Sequence, residues 1–196
     1  MSATLQRISA MACASADRSR TEMLSADAAD MRALCSGDEQ AFQRVVRRHQ
    51  HNVMAYCYRL TTDAGSAQDI AQEVFLTLWK QRKNYTEQGK LTHYLIRIAR
   101  LRSLALLKKT RADKRLRERA YAMRVDKATP AYASDAAVQT ALTRIRSEHR
   151  DLIVLRHFQG FDMAEIQSIT GLRLGTIKSR LHRAMAALRM ELDDGE

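Results

Sequence analysis

From Phe42 to Leu60 the apolar residues Phe42, Val45, Val46, Val53, Met54, Cys57 and Leu60 recur at three- and four-residue steps, which predicts an amphipathic helix with one core face. Gly37-Asp38-Glu39 opens it and sets acids at its positive N-terminal end. After the turn signal Thr62-Asp63-Ala64-Gly65, a second stripe runs through Ala67, Ile70, Val74, Phe75, Leu78 and Trp79. Gln68, Asp69, Gln72 and Glu73 fall on the opposite side of that helix. Residues 83–90 (KNYTEQGK) read as a loop. A third helix, from Leu91 towards Thr110, is expected to bury Leu95, Ile98, Leu101, Leu104, Ala105 and Leu107, with His93, Arg97, Arg100, Lys108 and Lys109 on its polar side. Three such helices can share one core.

Elsewhere the pattern weakens. Residues 1–36 are rich in Ala and Ser without a sustained apolar period and read as an N-terminal tail, partly disordered. From Arg111 the chain becomes highly charged and then passes into KATPAYASDAA, which holds the single proline, Pro130. Residues 113–136 are therefore expected to be a flexible basic linker whose first part extends the preceding helix, since Arg, Lys, Glu and Ala favour helix. Four helix-sized segments follow: Val138 to Arg146, Glu148 to Phe158, Met163 to Ile169, and Leu174 to Leu192. The fold class expected is all-α, with two small helical domains at 37–112 and 137–192.

Charge narrows the range of partners. A formal net charge of +11 points to nucleic acid or an anionic membrane surface. Much of it lies between Arg97 and Lys127, where twelve Lys or Arg face only Asp113, Glu118 and Asp126. No apolar run approaches the roughly 20 residues needed to span a bilayer, and the N-terminus lacks a signal core, so a cytoplasmic chain without membrane insertion is expected. Cys13, Cys35 and Cys57 form no C-x-x-C pair, which disfavours a disulfide framework or a thiolate zinc site. His49, His51, His157 and His182 lack companion ligands at metal-binding spacing. With no nucleophile elbow, phosphate-binding glycine loop or paired catalytic carboxylate, the expectation is no enzyme, no cofactor and no metal.

The sharpest local signal is FDMAEIQSITGLRLGTIKSRLHRAMAAL. A short helix capped by Asp162 would bury Ile166 and Ile169, and Gly171 falls where a left-handed turn residue is needed. The next helix turns Ile177, Leu181, Ala184 and Leu188 inward and Thr176, Lys178, Ser179, Arg180 and Arg183 outward, with Arg173 just before it. Short helix, glycine turn and longer basic helix form a helix-turn-helix, whose second helix enters the major groove. Arg grips guanine edges with two hydrogen bonds, while Lys and hydroxyls hold phosphates or bases. A basic face can also be merely solvated; the glycine turn and the clustered charges favour DNA.

The stretch LIVLRHFQGFDMAEIQSITGLRLGTIKSRLHRAMAALR resembles the promoter-reading fourth region of the extracytoplasmic-function (ECF) sigma factors of the sigma-70 family, with GTIKSRLHRA its most specific part. AQDIAQEVFLTLW is similar to the family's second-region helix that docks on RNA polymerase, and LTHYLIRIARLRSLALLKK to the adjoining promoter-melting segment. The resemblance implies a sigma factor that binds core RNA polymerase, through the beta-prime clamp helices and the beta flap, and directs promoter-specific initiation. Gln68, Asp69, Gln72, Glu73 and Leu76 would face the clamp. Tyr85, Gln88 and Lys90 would capture an unstacked base of the downstream element, beside His93 and Tyr94, while Arg97, Arg100 and Arg102 hold phosphates. Arg173, Thr176, Lys178, Ser179, Arg180 and Arg183 would meet the upstream element as duplex. The linker would lie near the RNA exit path, and an anti-sigma factor is a further partner the family suggests.

Two departures from the family stand out. Ser66-Ala67-Gln68-Asp69 replaces a frequent Asp-Ala-Glu-Asp, and Leu101 and Ala105 stand where Asn and Asp are frequent, with Tyr94 in place of a tryptophan. The missing acids suggest that a Ser/Thr kinase acting on Thr61, Thr62 or Ser66 could supply about 1.5 to 2 negative charges to the docking patch. The alternative is that Gln68, Asp69 and Glu73 suffice and the hydroxyls cap a helix. The competing function is a helix-turn-helix transcriptional regulator with an N-terminal sensing or dimerisation domain; a sequence-independent nucleoid protein would not need the acidic second helix.

Overall fold

Asp38 starts the first long helix by accepting the Gln40 and Ala41 amides on one carboxylate oxygen, at 2.8 and 3.2 Å. The structure, a computed structural model, describes residues 23–85, 90–117 and 136–193. Helix α1 covers residues 23–35, α2 Glu39–Thr61, α3 Ala64–Gln81 with a 3-10 turn Arg82–Asn84, and α4 Leu91–Arg117. Then come α5 Ala136–Arg144, α6 Ser147–Ile153 with a π turn Val154–Phe158, α7 Met163–Thr170 and α8 Leu174–Asp193. Among the described residues there is no strand.

The contacts divide the chain into two units, one drawn from residues 1–48 and 79–91, the other from residues 49–78 and 92–196. In the first, Met31, Leu34, Ala41, Val45 and Leu91 are buried, and Phe42 meets Trp79 with ring centroids 5.1 Å apart. The expectation of a tail up to residue 36 is corrected for residues 23–35. Helix α1 stays in place because it is tied down: Arg48 donates to Asp27 at 2.6 Å and to Asp30 at 2.7 Å, and Arg44 donates to Asp30 at 2.8 Å. Burial pushes the Asp30 carboxyl up, but the hydrogen bonds and charges of the two guanidinium groups outweigh it and hold the group below its ordinary value.

In the second unit, α3 buries Ala67, Ile70, Val74, Phe75 and Leu78 as expected and Ala71 beside them, whereas Trp79, expected in the same stripe, is half-buried and belongs to the first unit. Helix α4 departs from expectation: its buried positions there are Leu95, Ile96, Ala99 and Ser103, while Leu101 is 58% exposed and Ala105 is exposed. A leucine-rich run fits more than one helical register, and here Ser103 takes the inner position against the Cys57 thiol. Helices α5 to α8 enclose Leu142, Leu152, Ile153, Leu155, Ile166, Ile177, Ala184 and Leu188. Their bounds fall within two residues of the four segments read from the apolar pattern.

Candidate nucleic-acid interface

Asp162 and Glu165 close a reciprocal capping box at the start of α7, each side chain accepting the other's backbone amide at 2.8 Å. Gly171 ends the helix with φ +71°, and its amide donates to the Gln167 carbonyl at 2.8 Å. That left-handed residue turns the chain into α8. Ile177, Leu181, Ala184 and Leu188 then face inward, so Arg173, Lys178, Ser179 and Arg183 are exposed, with Thr176 and Arg180 half-buried between them. All six upstream-element candidates thus belong to one turn and the first half of one helix. Ser179 donates to the Thr176 carbonyl at 3.1 Å, and Arg183 Nε to the Ser179 carbonyl at 3.3 Å.

His149 of α6 joins this surface, a neighbour that no local pattern in the sequence signals. Burial lowers its imidazole pKa, and the neighbouring charges of Arg146, Arg183 and Arg180 lower it further against the opposing pull of Glu148. The imidazole therefore stays neutral at pH 7 and adds hydrogen-bonding capacity in place of a further positive charge.

On α3 the five polymerase-facing candidates Gln68, Asp69, Gln72, Glu73 and Leu76 are all exposed and follow one another along a single face. Leu76 is 55% exposed, large for an apolar side chain, and Glu73 lies 3.5 Å from Arg102. Thr61 is buried and donates to the Cys57 carbonyl at 2.8 Å, which removes it as an accessible phosphate acceptor. Thr62 is half-buried and donates to the Thr61 carbonyl at 2.6 Å. Ser66 gives its amide to Asp63 at 2.7 Å, and its backbone and hydroxyl both lower the Asp63 pKa, so these groups serve the start of α3.

The downstream-element candidates separate into different environments. Gln88 lies outside the described residues. Tyr85 ends the 3-10 turn, Lys90 precedes α4, and both are half-buried, as is Tyr94, whose hydroxyl pKa is raised by burial. Arg97 and Arg102 are exposed. Arg100 and His93 are not the solvent-facing groups expected. Arg100 Nε donates to Asp151 at 2.7 Å with 15% of its side chain exposed, and His93 packs edge-on against Phe161 with Nε2 3.3 Å from Glu165. Asp151 also accepts the Tyr56 hydroxyl at 2.7 Å. Burial drives the Asp151 carboxyl above its usual range, although Arg100 and Tyr56 pull it back. Among the described residues no group of His, Cys, Asp and Glu could hold a metal ion, and no helix is long and apolar enough to cross a membrane.

The structure thus holds a basic helix-turn-helix and, on a separate helix, an exposed and largely polar face. Residues 45–113 match the family model Sigma-70 region 2 and residues 135–188 match Sigma-70, region 4, together more than half of the chain. The chain belongs to the ECF sigma factors of the sigma-70 family. The ECF RNA polymerase sigma factor SigW of Bacillus subtilis is 26% identical over 172 residues, covering 81% of this chain and 92% of the relative. The RNA polymerase sigma factor CarQ of Myxococcus xanthus is 29% identical over 168 residues, covering 82% and 94%. Among solved structures, the sigma factor RpoE in complex with the anti-sigma factor NepR from Bartonella quintana shares the fold, with a TM-score of 0.66 at 22% identity over 78% of this chain and 96% of that one. The protein is a sigma factor for promoter-specific transcription initiation by RNA polymerase. The region 2 match occupies the residues that a regulator would give to a sensing or dimerisation domain, so that reading is set aside.

Proposed function

We propose that the chain docks on the clamp helices of the polymerase's beta-prime subunit through Gln68, Asp69, Gln72, Glu73 and Leu76. The beta flap receives the C-terminal helices, and Arg173, Thr176, Lys178, Ser179, Arg180 and Arg183 read the upstream element as duplex. Tyr85, Lys90, Tyr94, Arg97 and Arg102 serve the opened downstream strand, in company with His93 and Arg100 once these are released from their internal partners. The carrying observation is the unbroken exposed face of α3, where the one large apolar side chain is surrounded by polar and acidic ones. The chain contributes no reacting group; catalysis is the polymerase's, at the cytoplasmic site where the polymerase works. An anti-sigma factor is a fitting further partner, since the similar Bartonella protein is bound to one. No kinase is included, because Thr61 is buried and a phosphate on Ser66 would stand against the Asp63 carboxylate.

Run-off transcription with core polymerase tests the docking. Leu76→Asp should lower affinity for core about tenfold or more while leaving the helical content unchanged. Undiminished binding by that variant and by the double variant Asp69→Lys/Glu73→Lys would refute the assignment of this face.

A further inference from the structure

Helix α4 carries an outer face that neither its core packing nor its ion pairs explain. At about 3.6 residues per turn, Tyr94, Ile98, Leu101 and Ala105 fall within about 60° of one another around the helix. They lie across the axis from the buried Leu95, Ala99 and Ser103. Leu101 is 58% exposed, Ala105 is exposed, and Tyr94 and Ile98 are half-buried. Arg97 and Lys108 border this strip on one side and Arg102 and Lys109 on the other, and all four are exposed. A single exposed leucine is ordinary on a protein surface, but an apolar strip running about 16 Å between two rows of cations is not scattered exposure.

We propose that this face is a track for a single DNA strand on which Leu101 is a specificity-determining residue, selecting thymine through apolar contact with its methyl group. The proposal rests on the reading that α4 serves the opened downstream strand, and it adds how that strand is read. Surfaces that hold single strands combine cations for the backbone with ring or apolar side chains for the bases. Here the two basic borders meet phosphates, Tyr94 offers a ring for stacking, and Leu101 and Ala105 offer apolar contact. Charge complementarity identifies the occupant: every bordering side chain is positive, and Glu73, the acid that meets this border, lies 3.5 Å from Arg102.

Selection at Leu101 follows from what its side chain lacks. A leucine neither donates nor accepts a hydrogen bond, so it cannot sort bases by their polar edges. Thymine carries a methyl group that the other three bases do not, and apolar side chains favour it on that ground. Taking one methyl out of water is worth about fourfold in affinity, so the preference is graded and the other bases are tolerated at this step. Arg100 and His93, held by Asp151 and by Phe161 with Glu165, lie on another side of the helix, and the strip is exposed in the free chain.

The test uses the full chain and dye-labelled single strands of deoxythymidine and of deoxyuridine, about twelve nucleotides long, which differ by the thymine methyl alone. Fluorescence anisotropy should show the thymine strand bound about threefold more tightly. Leu101→Asn should weaken binding of that strand about fivefold, abolish the preference and leave the slope of log affinity against log salt unchanged. Leu101→Met, which keeps an apolar side chain, should retain the preference. Lys108→Ala/Lys109→Ala should do the converse of Leu101→Asn, keeping the preference while reducing the slope by about 1.4, two phosphates of a single strand. Circular dichroism checks that each variant is folded. If Leu101→Asn keeps both affinity and preference while the lysine variant loses slope, α4 holds the strand but Leu101 does not read it, and the proposal is overturned. If neither variant alters DNA binding, the strand-binding reading of α4 falls and the proposal with it. Weakened binding of Leu101→Asn to core polymerase, with DNA binding intact, would assign the strip to the polymerase and overturn the proposal as well.

Discussion

Replacing Gly171 by alanine isolates one backbone conformation. At φ +71° a left-handed residue with a side chain costs about 1–2 kcal/mol relative to glycine, whereas the lower chain entropy of alanine in the unfolded state returns about 0.4–1 kcal/mol. A Cβ built at Gly171 meets nothing within 4 Å, so no steric clash adds to the balance. The net expectation is destabilisation of the helix-turn-helix domain by about 1 kcal/mol, roughly a fivefold change in its folding equilibrium. Gly65 provides the opposite case: it lies within α3, and a Cβ there would make an ordinary contact of 3.7 Å with Asp63 Oδ2. Gly65→Ala should therefore stabilise by about 0.5 kcal/mol. Urea unfolding gives both signs, and hydrogen exchange at the amides of α7 and α8 locates the first. If Gly171→Ala were as stable as the parent or more so, the left-handed turn, and the helix-turn-helix geometry built on it, would be wrong.

The ion pairs of α1 predict an acid-sensitive element. Asp30 has a lowered pKa in the folded chain, so its contribution is complete above the ordinary carboxylate value and disappears as pH falls through the lowered one, below about pH 4. Thermal midpoints of the parent and Asp30→Asn should differ at pH 7 and converge near pH 3. Arg48→Ala, which removes the guanidinium that bridges Asp27 and Asp30 while Arg44 still holds Asp30, should cost about 2–4 kcal/mol by chemical denaturation. Burial raises the Cys57 thiol to about 12, so it should resist iodoacetamide at pH 8 and react only in denaturant, as peptide masses will show. Lys178→Ala should lower the salt dependence of upstream-duplex binding by the holoenzyme by about 0.9 in the log–log slope, one phosphate's worth. An unchanged slope would remove Lys178 from the phosphate contacts.

Most helices were legible because their apolar residues repeat at the helical period and their ends carry ordinary punctuation: Asp38, Asp63 and Asp162 at starts, Gly171 at a stop. The reading failed where composition was ambiguous. In the leucine-rich stretch of α4 the buried set is chosen by its neighbours, and Ser103 displaces Leu101 from the inner face. It also missed α1, whose anchorage lies in Asp27 and Asp30 meeting arginines fourteen to twenty-one residues away, a signal with no local period. The Tyr56–Asp151 hydrogen bond was illegible for the same reason: the two residues are 95 positions apart, and the pairing becomes visible only when folding removes both from water. On α8, by contrast, reading and folding coincide, since one helical period fixes both the inward residues and the outward basic ones.

In the docking proposed for α3, a departure from the family pattern need not mean a loss of function. Ser66 and Gln68 stand where acids are frequent, leaving Asp69 and Glu73, and Glu73 is partly engaged by Arg102 at 3.5 Å. An exposed charge pair is worth up to about 1 kcal/mol and is weakened by salt, so two missing acids remove a modest and largely kinetic contribution. Burying a leucine side chain contributes about 1.5–3 kcal/mol, and Leu76 holds more than half of its surface in reserve for a partner. On these magnitudes, in the docking proposed for α3 the apolar anchor would set how long the chain stays on the polymerase, and the acids how quickly it arrives. Raising ionic strength should therefore slow association of this sigma factor less than that of a relative with the full acidic set, and leave its dissociation rate nearly unchanged, whereas Leu76→Ala should accelerate dissociation at every salt concentration.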